Sequence, residues 1–129
     1  MRLRHIQKAL VKEGDKFLVL LRAKDAKHFP CCWDFPGGKL EEGEDPFAGI
    51  EREVLEETGL KVKALQIVGT YHITLEDKIP RRFIIYSANT LSGNLKISSE
   101  HSDFKWATRE EILRLETEPY IKMYLENKK

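Results

Sequence analysis

Aliphatic residues crowd two short stretches near the start of the chain, Ile6 to Val11 and Phe17 to Leu21, and each reads as a strand. Glu13-Gly14-Asp15 supplies the turn between them. Residues 23–31 are rich in charge, contain Pro30 and show no apolar period, so they form a loop. From Asp45 the period becomes helical. Asp45 is a good N-cap, Pro46 suits the first turn and Gly59 ends the element, which predicts a helix over residues 46–58. Its Phe47, Ile50 and Val54 share the side that faces a core. Leu65 to Thr74 and Arg82 to Ala88 read as a long strand pair joined through Asp77 to Pro80, and Asp103 to Trp106 as a short strand. Thr108-Arg-Glu-Glu111 is a capping box that opens a helix at Ile112 and Leu113, and another helix starts near Pro119 and runs through Tyr124. Strands interspersed with helices imply a mixed sheet covered by helices.

The other face of the helix over 46–58 is harder to explain. Glu53, Glu56 and Glu57 lie together on it at i, i+3 and i+4. Each like-charged pair at that spacing costs roughly 0.2–0.5 kcal/mol. They also sit toward the C-terminal end, where the macrodipole disfavours anions. A divalent cation removes both objections, because Mg2+ and Mn2+ take hard oxygen ligands and share sites with substrate phosphates. A solvated acidic face is the alternative for this triplet, and the reading for Glu41, Glu42 and Glu51. The preceding Phe35-Pro36-Gly37-Gly38 favours the cation: Pro36-Gly37 suits the middle of a type II turn, and a glycine pair brings backbone close to a ligand or metal.

Composition sets bounds on this picture. With 129 residues, 41% of them hydrophobic, the chain is long enough for a single domain over 1–129 with a real core. A net charge of +1 without basic runs argues against dedicated nucleic-acid binding. The longest apolar run, Phe17 to Leu21, is far below the roughly 20 residues of a membrane helix, and no signal peptide is visible. A cytoplasmic protein with no membrane partner is the expectation. Cys31 and Cys32 are adjacent, poorly placed to bridge each other, and expected to stay reduced and pack beside the loop.

Residues 38–60 resemble the Nudix box, Gly-x5-Glu-x7-Arg-Glu-U-x-Glu-Glu-x-Gly-U with U a bulky aliphatic residue. Gly38, Glu44, Arg52, Glu53, Val54, Glu56, Glu57, Gly59 and Leu60 fill every fixed position. Trp33-Asp-Phe-Pro-Gly-Gly-Lys39 resembles the segment leading into that box, and Arg22-Ala-Lys-Asp-Ala26 resembles the MutT type. The resemblance covers about the whole chain. It implies an α/β fold, the Nudix α/β/α sandwich with a mixed β-sheet. It also implies a hydrolase of phosphoanhydride bonds that uses Mg2+ or Mn2+, two or more ions with substrate bound.

Carried over position by position, the resemblance implies that Glu53, Glu56 and Glu57 hold the metals, with the Gly38 carbonyl as an added ligand. Arg52 then orients one of those carboxylates, unless it only forms an i,i+4 pair with Glu56. Glu44 braces the loop against the helix. The general base is open between Glu53, Glu57 and Glu100, the last in Ser98-Ser-Glu-His-Ser102 and a candidate ligand as well. His101 is expected at the surface or supporting the site from behind. Arg22, Gly37 and Lys39 are placed to meet substrate, while Asp34 and Phe35 are expected at the pocket mouth, Asp34 accepting hydrogen bonds from a base. Trp33, Phe29 and Tyr71 either stack on a base or lie in the core. Lys78, Arg81 and Arg82 form a basic cluster expected to be a solvated hairpin, with one side chain free to meet polyphosphate.

Substrate is the least legible feature. The marks of NADH, ADP-ribose and diadenosine polyphosphate hydrolases are missing downstream of the box: residue 76 is Glu, and Pro80 comes late. The expectation is therefore a (deoxy)nucleoside triphosphate cleaved to monophosphate and pyrophosphate by a monomer or homodimer. An ADP-ribose, nucleotide-sugar or dinucleotide pyrophosphatase is the alternative, and a non-catalytic nucleotide-sensing domain a second. MutT-type readers of oxidised guanine carry an asparagine just before a Glu-Pro pair. Here Thr117 precedes Glu118-Pro119 as the substrate-binding candidate, with a hydroxyl but no amide.

Overall fold

The computed structural model describes residues 3–127. Strands β1 (Arg4–Glu13) and β2 (Lys16–Arg22) form a hairpin, but they pair directly only near its turn, at Lys12↔Phe17 and Glu13↔Lys16. Beyond that the two strands part. Into the fork between them run β3 (Trp33–Asp34), which pairs with β2, and β4 (Gly37–Lys39), which pairs with β1. Helix α1 (Pro46–Thr58) follows, then the long strands β5 (Leu60–Thr74) and β6 (Pro80–Gly93), then β7 (His101–Thr108), α2 (Arg109–Leu113) and α3 (Pro119–Asn127). The main sheet order is β3-β2-β1-β6-β5, with β7 on the other edge of β2. β1 and β6 run parallel and the remaining pairs antiparallel, so the sheet is mixed as expected.

Strand alternation puts a separate core on each face of the sheet. Ala9, Val11, Leu18, Leu20, Ile84 and Tyr86 pack against Ile50 and Val54 of α1. Their neighbours Leu10, Val19, Phe83 and Ile85 pack against Ile112, Tyr120, Ile121 and Leu125 of α2 and α3. This is the α/β/α sandwich. The near-continuous apolar runs in β1, β2 and β6 follow from it, because a strand covered on both faces has no solvent side.

Most local signals act as read. The Asp45 carboxylate accepts the Ala48 N–H at 2.9 Å, Gly59 takes the left-handed conformation at φ 74°, and the Thr108/Glu111 capping box is complete. Four details differ. Pro36-Gly37 does not make a type II turn: Gly37 has φ 154° and joins the sheet beside Lys8. Phe47 lies at the rim of α1, 36% exposed, its ring edge-on to Tyr86. Glu51 is not simply solvated, since its carboxylate accepts the Ala64 N–H at 2.9 Å and fastens α1 to β5. β5 and β6 are also longer than read: β5 begins at Leu60, with Leu60, Val62 and Ala64 alternating into the core between exposed lysines, and β6 runs on to Gly93 as its mostly exposed end stays paired with β5. The single-domain expectation over 1–129 includes residues 1, 2, 128 and 129, which lie outside the described residues.

Candidate functional site

The site forms where the fork in the sheet meets the C-terminal half of α1. Gly37 donates its N–H to the Glu57 carboxylate at 2.8 Å. Gly38 is packed so closely on Glu53 that a Cβ there would lie 2.3 Å from a carboxylate oxygen. The glycine pair is thus held against two helix carboxylates one turn apart. Burial pushes the Glu57 carboxyl up to about 8, with the Lys8 charge and the Gly37 bond only partly opposing it. Burial also raises Glu53, against the pull of Arg52.

Arg52 does both things open to it. Its guanidinium bonds Glu56 at 2.6 Å across one helical turn, and also Glu44 at 2.7 and 3.1 Å and Glu53 at 3.1 Å. Glu44 in turn accepts the Glu41 N–H, so it braces the loop against the helix through Arg52. These bonds hold the Glu44 carboxyl below its usual range.

Beside the glycine pair opens a cavity of about 600 Å3. Gly37, Gly38, Lys39, Glu57, Glu100 and Arg22 line it, half of the residues singled out from the sequence, whereas Arg52, Glu53 and Glu56 do not. Glu100 is exposed at its rim, where the Glu100 carbonyl accepts the Ala23 N–H. Arg22 reaches the wall with its guanidinium already engaged by the His28 carbonyl at 2.9 Å, Asp34 at 3.3 Å and Glu118 at 3.4 Å.

Other sequence-derived candidates fall elsewhere. Asp34 is not at the mouth: it is 1% exposed and bonded to Lys8 at 2.7 Å, with Arg22 and the Tyr120 hydroxyl as further partners. Phe35 is fully buried in the core under α3. Thr117 does not line the cavity, since it bridges to Trp33 and turns its hydroxyl to the Glu118 carbonyl. Trp33 is half-buried under Lys105, whose ammonium lies 4.7 Å from the ring centroid. Tyr71 packs against the α3-side core, whereas Phe29 lines the cavity. His101 is buried in the cavity wall rather than at the surface, and burial lowers its pKa. The Lys78/Arg81/Arg82 hairpin is not uniformly solvated: Arg81 is 4% exposed, lines the cavity and pairs with Asp77 at 2.7 Å. Cys31 and Cys32 are free thiols, and Cys31 is exposed rather than packed.

Sequence reasoning missed a buried ionic cluster on the cavity floor. Lys8 and Glu118 line the cavity, and Asp34 and Tyr120 support them from behind. Asp34 resists its burial because Lys8 and bonds from its neighbours hold it down at about 2, while burial and the Asp34 charge push Glu118 up to about 8. The one sequence signal was a lysine inside the apolar run of β1. A buried lysine requires a buried partner.

The donor set suits a hard divalent ion. Among the described residues, no three acidic, histidine or cysteine side chains already surround a single point. Glu53 and Glu57 are nonetheless raised by burial, carry oxygen donors, and lie against a backbone pair with no side chain to block approach. A cation between them would offset the charge burial that the protein alone leaves partly uncompensated. Among the described residues, no helix is long and apolar enough to cross a membrane.

The NUDIX domain family matches residues 5–126. The chain is 31% identical over 111 residues to a MutT-like protein of Streptomyces ambofaciens, covering 86% of this chain and 67% of that protein. It is 25% identical over 126 residues to nucleoside triphosphatase NudI of Enterobacter sp. (strain 638), covering 90% and 89%. The crystal structure of a MutT protein from Methanosarcina mazei Go1 superposes with a TM-score of 0.87 at 29% identity, over 98% of this chain and 96% of that one.

Proposed function

The chain belongs to the NUDIX domain family, hydrolases of phosphoanhydride bonds that generally use divalent metals, and from that premise we propose that it is a metal-dependent pyrophosphohydrolase. Its substrate is a (deoxy)nucleoside triphosphate, released as monophosphate and pyrophosphate. The observation that carries this reading is the clasp of Gly37 and Gly38 against Glu57 and Glu53, opening on a cavity whose rim bears cations. Similarity over nine-tenths of the chain to a protein named a nucleoside triphosphatase supports the substrate class.

Glu53, Glu56, Glu57 and the Gly38 carbonyl would hold the divalent ions, which supply charge neutralisation and Lewis acidity to the phosphate chain when bound. Arg52 fixes the rotamers of Glu53 and Glu56 from the far side, so that both carboxylates are set before substrate arrives. Lys39 and Arg4, at the cavity rim, attract the phosphates. Glu100 lines the same cavity, exposed and with no side-chain hydrogen bond or ion pair among the described residues, and takes the proton of the attacking water at its carboxylate. Lys8, Asp34, Glu118 and Arg22 form a rigid polar floor rather than a loose mouth, and the ligand's base edge meets Glu118 and Arg22 instead of Thr117.

A panel of nucleoside triphosphates, ADP-ribose and NADH, assayed with Mg2+ and with Mn2+, tests the proposal. One or more triphosphates should yield monophosphate plus pyrophosphate. Cleavage of ADP-ribose alone would overturn the substrate assignment, and inertness toward all of them with either ion would overturn the enzymatic reading.

A further inference from the structure

His101 stands in the wall of the cavity at the first residue of β7, and a bulge puts it there. β7 pairs with β2 at Leu21↔Asp103, but the next residue of β2, Arg22, meets His101 rather than Ser102. One extra residue on β7 thus shifts the side-chain alternation and turns the imidazole to the same side of the sheet as Arg22. In unbroken register Ser102 would hold that place and His101 would face the other way. The backbone around it is pinned. The His101 N–H bonds the Ser98 carbonyl at 3.2 Å, and the Ala23 N–H bonds the Glu100 carbonyl at 3.2 Å.

The residue is 7% exposed, yet its ring has no hydrogen-bond partner among the described residues. Nδ1 is shut away from solvent. Nε2 is not, so it is the nitrogen that opens on the cavity. An uncharged imidazole carries one proton, and a closed-off N–H without an acceptor is among the rarest of unpaired groups. The proton therefore belongs on Nε2, as a donor aimed into the cavity. Its neighbours mark what it meets. Glu100 and Glu57 lie toward the phosphate end, whereas Arg22, Lys8 and Glu118 make the floor on which the base rests. Cations already serve the charged groups on both sides, so an uncharged donor between them suits an uncharged oxygen. Between the base and the phosphates of a nucleotide, those oxygens belong to the sugar.

We infer that His101 reads the sugar, its Nε2–H donating to a hydroxyl, and that it sets the preference among ribo-, deoxy- and dideoxynucleotides. This rests on the pyrophosphohydrolase reading and adds a specificity-determining residue to it.

The test measures kcat/KM in Mg2+ for the ribo-, 2′-deoxy- and 2′,3′-dideoxy-triphosphates of one base, with the wild type, His101→Leu, His101→Phe and His101→Gln. Removing the hydroxyl that His101 reads should cost the wild type about tenfold, and the step at which the drop comes tells which hydroxyl it is. The first two variants take away the donor at different volumes, so one still reports if circular dichroism shows the other misfolded. In each of them that folds, the three sugars should fall within about twofold of one another. His101→Gln keeps an N–H donor and should retain part of the preference. A merely structural histidine would lower all three substrates together and leave their ratios alone. A wild type that cleaves the triphosphates but ignores the sugar, or a preference that persists in the folded donor-less variants, overturns the inference and leaves the parent reading standing. A wild type that cleaves none of the three overturns both.

Discussion

Replacing Gly38 by alanine separates two demands that the glycine pair meets, closeness to a carboxylate and closeness to backbone. A Cβ at Gly38 would lie 2.3 Å from one Glu53 oxygen, 2.6 Å from the carboxyl carbon and 3.0 Å from the other oxygen. All three atoms are the tip of a flexible side chain, so the structure can yield by turning Glu53 away. That retreat is about 1 Å and loses the Arg52 bond, at a rotamer cost of roughly 1 kcal/mol or less. The carboxylate leaves its place all the same, and a displacement of that size near reacting groups lowers turnover by about 100-fold. Gly37→Ala is the control with the opposite signature. Its Cβ would stand 2.0 Å from the Gln7 carbonyl oxygen, in fixed backbone, at φ 154°. It should cost about 3 kcal/mol or more of stability, through overpacking and backbone strain together. Pyrophosphate release and thermal melts, run side by side, distinguish the two. A folded Gly38→Ala enzyme within about threefold of wild-type kcat/KM would refute the claim that Glu53 must occupy that place, and a Gly37→Ala protein as stable as wild type would refute the packing argument.

Glu57→Gln should abolish turnover yet raise the melting temperature at pH 8 in chelator. A carboxyl whose folded pKa is about 8, above its ordinary 4.5, loses stability as pH climbs between those values, and the amide has no charge to bury. Added Mg2+ should stabilise the wild type and leave this variant nearly unmoved, which differential scanning fluorimetry reads directly. Arg52→Lys keeps the charge but cannot fork to Glu44, Glu53 and Glu56 at once, so kcat/KM should drop by roughly 10–100-fold with a raised Mg2+ requirement. Acid unfolding should report the Lys8–Asp34 pair. A carboxyl held at about 2 against an ordinary 3.8 contributes stability that is full above 3.8 and disappears as pH falls through 2, on the order of 2 kcal/mol. Lys8→Met should therefore move the acid midpoint upward, and an unchanged midpoint would show that the pair is energetically idle.

Elements whose signals are local were legible along the chain. Asp45, Pro46 and Gly59 bracket α1 through hydrogen bonds and a left-handed turn within the segment, and the Thr108 box opens α2 the same way. The spacing of Gly38, Arg52, Glu53, Glu56 and Glu57 fixed which groups share a helix face, because 3.6-residue geometry needs no partner. Features set by contacts between distant segments could be seen only once the chain was folded. Asp34 and Phe35 adjoin the glycine pair in sequence, yet the fork between β1 and β2 turns them inward, toward Lys8 and α3. Arg81 and His101, readable as surface residues, became cavity wall only because β6 pairs with β1 and β7 with β2. Side-chain environment in a sheet depends on what covers each face and what lies across the strand. Neither is written in the spacing of residues along the chain.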